Sequence, residues 1–283
     1  MNEIRPIHYK IHLEPDLAKF QFTGKLELLL EVPAPASGVS LNILDLAIWK
    51  CELMAQGKGE ACVFSVDPRK EELRILFPRQ VSGEVSLIIE YVGEINNRMA
   101  GFYRSRYVRD GKERYAAVTQ FEESDARRAF PCFDHPRMKA TFEVEMIIDG
   151  SLTAISNTAV MEERPLEDGR KLVRFERTPK MSTYLVFFGA GEFEFIQDPG
   201  EVLIRVAAMP GKAEQGKYSL EFLRKALTFC EEYYGIKYPL SKLDLIAIAD
   251  FAFGAMENWG AITFRENLVL HDPDKTSQAG EER

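Results

Sequence analysis

Long apolar runs are missing from this 283-residue sequence. No stretch approaches the ~20 uninterrupted apolar residues that span a bilayer, and the opening MNEIRPIHYKIHLEPD lacks the apolar core of a secretory leader. No membrane span and a cytoplasmic chain are the expectation. Cysteine is scarce: Cys51, Cys62, Cys132 and Cys230 are scattered with no C-x-x-C pair, which argues against a disulfide framework or a cysteine zinc site. Histidine is scarcer, with His8, His12, His135 and His271 only. His8 and His12 have H-x-x-x-H spacing, but their segment alternates like a strand. Four residues of strand span roughly 13 Å, too far for one metal. A helical H-E-x-x-H is absent. Positive charge is also short, with 36 Lys and Arg against 44 Asp and Glu and a net charge of −8, so nucleic acid and anionic membranes have no electrostatic support as partners.

What is present is the composition of a folded chain: 46% hydrophobic and 28% charged residues, with 19 Gly and 14 Pro. The length suits one large domain or two of roughly 100 to 200 residues. From Arg5 to about Ile196, apolar residues recur at every second position, as in Tyr9, Ile11, Leu13; Leu26, Leu28, Leu30, Val32; Val85, Leu87, Ile89, Tyr91; and Phe142, Val144, Met146, Ile148. Period-2 alternation buries one face of a strand and wets the other. Turn chemistry is read at Pro33–Gly38, Gln56–Glu60, Asp67–Lys70, Asp110–Lys112, Asp149–Gly150 and Glu167–Gly169. The pattern predicts an antiparallel β-sandwich or saddle, closed by one last strand over Thr183–Ile196.

After Asp198-Pro199-Gly200 the texture changes. A strand is expected over Val202–Ala207, a helix over Glu214–Tyr234 with Leu220, Leu223, Leu227, Cys230 and Tyr234 at spacings of three and four and Gly235 at its cap, a buried strand over Leu243–Ala249, and a further strand over Ala261–Leu270. One helix, these strands and a polar tail ending at Gly280–Arg283 do not close a domain. The fold class read is therefore mainly β: an N-terminal β-sandwich or saddle domain over 1–198, then an incomplete α/β segment over 199–283.

Two segments stand apart from fold-making sequence. Gly254-Ala255-Met256-Glu257-Asn258-Trp259-Gly260 brackets a carboxylate, an amide and an indole with glycines, which let a backbone approach a ligand closely. On pattern alone it also reads as a hairpin turn. The run Thr119 to Asp134, containing Gln120, Glu122, Arg127 and Arg128, also reads as a solvated ion-pair network.

Together GAMENWG at 254–260 and TQFEESDARRAFPCFDHPRMKATFEV at 119–144 resemble the aminopeptidase N family of zinc metallopeptidases. PIHYKIHLEPDL and FCEEYYGIKYPLSKLDLIAIADFAFGAMENWGAITFRE, at 229–266, extend the resemblance along the whole chain. It implies an N-terminal β-saddle followed by the start of a thermolysin-like catalytic domain, in a full-length zinc enzyme that removes N-terminal residues from peptides. It implies that Glu257 and Glu122 hold the free α-ammonium of a peptide substrate, that Gln120 lines the pocket for its first side chain, and that Gly254 and Ala255 pair with its backbone. Met256 and Asn258 complete the implied substrate-binding set, with Met256 as a gap-filler. The two glutamates are expected at one open cavity between the domains. Arg127, Arg128 and Asp134 are expected to tie the N-terminal domain to the site. The family's zinc ligands, its catalytic base and its oxyanion-stabilising Tyr are not found, so no catalytic residue and no metal ligand is assigned, and the chain alone is expected to be inactive. The competing reading is a non-catalytic β-rich interaction scaffold derived from the same family.

Overall fold

A computed structural model describes residues 3–55 and 57–271. The first part of the chain forms β1 (Arg5–Asp16), β2 (Gln21–Asn42), β3 (Leu46–Ala55), β4 (Lys58–Ala61), β5 (Val63–Asp67) and β6 (Glu72–Glu94). There follow β7 (Gly101–Arg109), β8 (Lys112–Gln120), β9 (Thr141–Asp149), β10 (Thr153–Ser156), β11 (Val160–Pro165), β12 (Arg170–Phe175) and β13 (Phe188–Gly191). The last part holds β14 (Glu194–Asp198), β15 (Leu203–Ala208), α1 (Lys217–Tyr234), β16 (Lys242–Ile248), β17 (Ala255–Met256) and β18 (Ala261–Arg265). The mainly β fold class holds.

Among the described residues three sheets form. A nine-stranded sheet runs β11-β12-β9-β1-β2-β6-β3-β4, with β5 also on β6, and a four-stranded sheet runs β10-β13-β8-β7. Alternation is the cause: in β2, Phe22, Gly24, Leu26, Leu28, Leu30 and Val32 all point inward while their neighbours face water. Rings then join the two sheets, Phe22 against Phe102 at 5.1 Å, and Phe102 continues the contact within its own sheet to Phe188 at 5.2 Å, both edge-on. Gly24 leaves room for the buried Tyr91 ring, whose atoms would stand 2.2 Å from an added Cβ.

Several local expectations are corrected. Pro33–Gly38 is no turn: β2 runs through it, with register shifts between Val32 and Ala36 and between Ala36 and Gly38. A bulge tolerates prolines that cannot donate to a ladder. The pairing is not wholly antiparallel, since β1 and β9 run parallel from His8↔Thr141 to Leu13↔Met146. Thr183–Ile196 is not one strand but a 3-10 turn, then β13 in the four-stranded sheet, then β14 in another. Ala261–Leu270 is strand only to Arg265. Gln56, in one expected turn, and the Gly280–Arg283 tail lie outside the described residues.

The third sheet, β14-β15-β16-β18-β17, is parallel at its centre, with α1 as the crossover from β15 to β16. Gly235 ends α1 at φ 65°, the left-handed cap expected of glycine. Every residue of β16 is buried, as befits a strand covered on both faces. On one face Ile204, Val206, Leu220 and Leu245 form a separate small core under α1. On the other, Ala207, Ile246, Ile248 and Met256 join the large core of the first two sheets. No described helix is long and apolar enough to cross a membrane.

Candidate functional site: a segment stapled across the four-stranded sheet

The Asp250–Gly260 segment is fastened to the four-stranded sheet at both of its edges. At the β7 edge, the Asp250 N–H donates to Ser105 Oγ at 3.0 Å, its carboxylate accepts from the Arg106 N–H at 2.6 Å, and its carbonyl accepts from the Tyr103 hydroxyl at 2.9 Å. At the β10 edge, Asn157 Nδ2 donates to the Trp259 carbonyl at 2.8 Å and to the Leu185 carbonyl at 2.8 Å, while its Oδ1 accepts from the Phe187 N–H at 2.9 Å. Phe251 and Met256, between the staples, are buried in the large core. Ser105 is itself buried, so Ser105→Ala strands the Asp250 N–H; we expect a loss of about 1–2 kcal/mol in urea unfolding of this chain, and a change under 0.3 kcal/mol would show the staple to be idle.

Gln120 ends β8 opposite Gly101. Cross-strand partners share a face and alternate with period 2, and Tyr103 pairs with Val118, so Gln120 lies on the face that Tyr103 and Ser105 present to Asp250. It is 2% exposed, yet neither its Oε1 nor its Nε2 has a hydrogen-bond partner among the described residues. A buried amide left unpaired costs free energy, and its natural remedy is a polar ligand or water. Glu122 follows in the turn beyond β8 and is exposed; Glu257 is exposed in the turn after β17. Among the described residues neither carboxylate is engaged in a hydrogen bond or ion pair.

The motif residues around Glu257 divide into inward and outward groups. β17 is an edge strand, paired with β18 at Ala255↔Phe264 and Met256↔Thr263. The Gly254 carbonyl accepts from the Arg265 N–H at 2.9 Å, and bonded positions alternate along an antiparallel ladder. Gly254 therefore spends its carbonyl inside the sheet, and Ala255 turns its N–H and C=O to the open edge. Met256 is 1% exposed and packs in the core. Asn258 is equally buried: its Nδ2 donates to the Ala261 carbonyl and to Thr263 Oγ1, both at 3.3 Å, and its carbonyl accepts from the Ala261 N–H at 3.1 Å. That side chain braces the turn from within. A cavity of about 300 Å³ is walled by Glu257, Trp259, Tyr238, Leu240 and Ile262, among others, and its lining includes neither Gln120 nor Glu122.

Arg127 and Arg128 do not bridge to the second unit. Arg127 pairs with Asp134 at 3.0 Å and Glu71 at 2.7 Å, and Arg128 with Asp125 at 2.6 Å and with Asp45. Asp134 also accepts from Thr183 Oγ1 at 2.9 Å. These ties stay within the first two sheets and their loops, where they fix the segment that carries Glu122.

Behind the motif lies a buried ionic chain that pattern reading passed over. Lys242 Nζ donates to the Ser156 carbonyl at 2.6 Å, Asp244 Oδ2 at 2.7 Å and the Gly260 carbonyl at 2.7 Å. Asp244, fully buried, also takes both arms of Arg205 at 2.7 Å each. Burial pushes the Lys242 ammonium down to about 8, against the pull of Asp244. The available signal was a Lys-x-Asp pair opening an apolar strand, since two charges on one face of a buried strand need partners.

The histidines are employed elsewhere. His8 Nδ1 bonds Thr141 Oγ1 and His12 Nδ1 bonds Glu145, each at 2.8 Å, and His135 accepts from the Arg137 N–H at 3.1 Å. Among the described residues no group of three or more His, Cys, Asp or Glu side chains could hold a metal ion, so these residues do not fit a zinc centre.

The Peptidase M1 N-terminal domain model matches residues 5–185, and the Peptidase family M1 domain model matches residues 218–283. The chain is 43% identical over 279 residues to the puromycin-sensitive aminopeptidase of Caenorhabditis elegans, covering 96% of this chain and 29% of that protein. It is 37% identical to the mitochondrial aminopeptidase 2 of Saccharomyces cerevisiae, over 98% of this chain and 29% of that one, and 37% identical to aminopeptidase M1 of Arabidopsis thaliana, over 98% and 32%. The segment thus spans roughly three-tenths of the length of these relatives. By both matches the chain belongs to peptidase family M1.

Proposed function

We propose that this chain is the substrate-recognition portion of a zinc aminopeptidase, acting on peptides with a free N-terminus. The observation that carries the reading is the pairing of free acidic groups with an open strand edge. Glu122 and Glu257 stand exposed with unengaged carboxylates, and Ala255 turns its backbone outward one residue from Met256, which is locked in the core. An exopeptidase must recognise a terminal cation, and two carboxylates favour the charged form of an α-amine whose ordinary pKa is about 7.7 to 8.0. In this reading Glu257 and Glu122 hold the ammonium, Ala255 aligns the substrate as an added strand, and the unpaired amide of Gln120 faces the first side chain. Met256 and Asn258 support Glu257 from beneath.

The same reading divides the chain near Pro199 into a β-saddle domain, 1–198, and the opening of a thermolysin-like domain, 199–283. Its support in the second unit is the outer face of α1, where Phe222, Phe229 and Tyr233 are 59%, 64% and 72% exposed. Larger α/β domains cover such a face. This reading assigns none of the family's zinc ligands to the described residues.

Two assays test the assignment. After dialysis, the isolated chain is expected to hold no stoichiometric zinc and to leave aminoacyl reporter substrates intact; turnover that a chelator abolishes would overturn it. A longer product of the same reading frame that carries H-E-x-x-H is expected to hydrolyse reporters with a free α-amine and to spare their N-acetylated forms. Equal rates on both would remove the amine anchor.

A further inference from the structure

The Trp259–Gly260 end of the motif loop, braced from within by Asn258, is also held from outside the loop. The Gly260 carbonyl accepts twice, from the Asp244 N–H at 3.0 Å and from Lys242 Nζ at 2.7 Å. The third Lys242 contact crosses to the first unit, to the Ser156 carbonyl at 2.6 Å. Next to it Asn157 holds the Trp259 carbonyl at 2.8 Å. One ammonium therefore clamps two backbone carbonyls from different units, and all three of its N–H bonds have an acceptor. The corner it grips is in register with the site: Ser156 pairs with Phe188, and Phe188 donates its N–H to Thr119 Oγ1, the residue before Gln120. Fixing Gly260 to Ser156 thus fixes the motif loop relative to the end of β8.

We propose that Lys242 is a positioning residue, whose ammonium docks Gly260 on the Ser156–Asn157 corner and thereby sets where Glu257 stands relative to Gln120 and Glu122. The consequence for substrate rests on the amine-anchor reading above; the docking does not. Lys242 touches no reacting atom, since it is 2% exposed and its donors are spent on protein oxygens. Its effect passes through Gly260 and the turn to Glu257. Asp244 keeps the ammonium charged and oriented, and Arg205, stacked on Phe195 at 4.7 Å, keeps Asp244 in place.

The test measures hydrogen exchange of the 254–261 amides in this chain, with two variants. In Lys242→Met those amides are expected to exchange at least tenfold faster, while amides of β1, β2 and β6 keep their rates. Because Lys242→Met leaves Asp244 with Arg205 as its one remaining charge partner, a second variant replaces the whole ionic group, Lys242→Met with Asp244→Leu and Arg205→Met; replacing every member of a buried ionic group by apolar residues is often neutral for stability. Wild-type stability with a loop that still exchanges fast supports positioning. If the triple variant regains loop protection together with stability, or if neither variant folds, Lys242 is only a charge partner or a folding requirement, and the proposal falls. Unchanged loop exchange in a folded Lys242→Met protein overturns it as well. In a longer active product, Lys242→Met is expected to raise KM at least fivefold with kcat within twofold. Fast loop exchange with an unchanged KM would leave the docking standing and overturn the recognition role of the loop.

Discussion

Glu257→Ala, in a longer active protein that carries this segment, is expected to lower kcat/KM by roughly tenfold to a few hundredfold. The magnitude follows from removing one charge-assisted hydrogen bond to the substrate ammonium, worth about 1.5 to 3 kcal/mol. The carboxylate is exposed and makes no ion pair among the described residues, so its loss disturbs no internal partner. The effect should fall mainly on KM, because the ammonium is held alike in the ground state and the transition state. Glu257→Gln, which keeps the acceptor and loses the charge, should fall between wild type and Ala. Stability of this chain should be unchanged in both. A loss in kcat/KM below about threefold, with the protein folded, would show that Glu257 is not the anchor.

Gly260→Ala is expected to be the most damaging of the single substitutions considered for stability, by about 2 to 5 kcal/mol. Gly260 holds φ at 71°, the left-handed region, in the third position of the Asn258–Ala261 turn. A Cβ there would stand 2.0 Å from the Asn157 carbonyl oxygen and 2.8 Å from Leu240 Cδ1. The first contact is backbone and cannot rotate aside, so the loop must lift from the Ser156–Asn157 corner or the fold must open. Urea unfolding of this chain measures the loss. A change within 0.5 kcal/mol would mean that the close approach of the two units is not needed. By contrast Gly254 has no positive φ, and its added Cβ would meet only Leu268 at 3.4 Å, so Gly254→Ala should be tolerated.

Much of the fold was legible because burial on one side of a strand imposes a period of two. Ile11, Leu28, Ile89 and Val144 announced their strands, and Leu220, Leu223 and Leu227 announced α1 with Gly235 at its cap. Pro33 to Gly38 misled because turn-forming residues state a local preference, and the 22-residue β2 overrides it by pairing with β6 through a bulge. The parallel direction of β1 against β9 leaves no mark on alternation, since both directions bury the same face. The site divided in the same way. Residue types in GAMENWG marked out Glu257, but whether a motif residue turns outward like Ala255 or inward like Asn258 depends on which ladder position each occupies.

By itself the sequence determined the alternating strand faces, α1, the change of texture near Pro199 and the family to which the chain belongs. Each of these depends on neighbours within one element or on a contiguous motif. Only the tertiary structure decided what holds the motif: Asn157 reaches Trp259 across 102 positions, and Lys242 reaches Ser156 across 86. It also decided that Gln120 is buried with its amide unpaired, on the sheet face that the Asp250–Gly260 segment crosses. Hydrogen bonds to carbonyls carry no side-chain signature at the acceptor, and burial of an amide is a property of everything packed around it, so neither is written in local pattern.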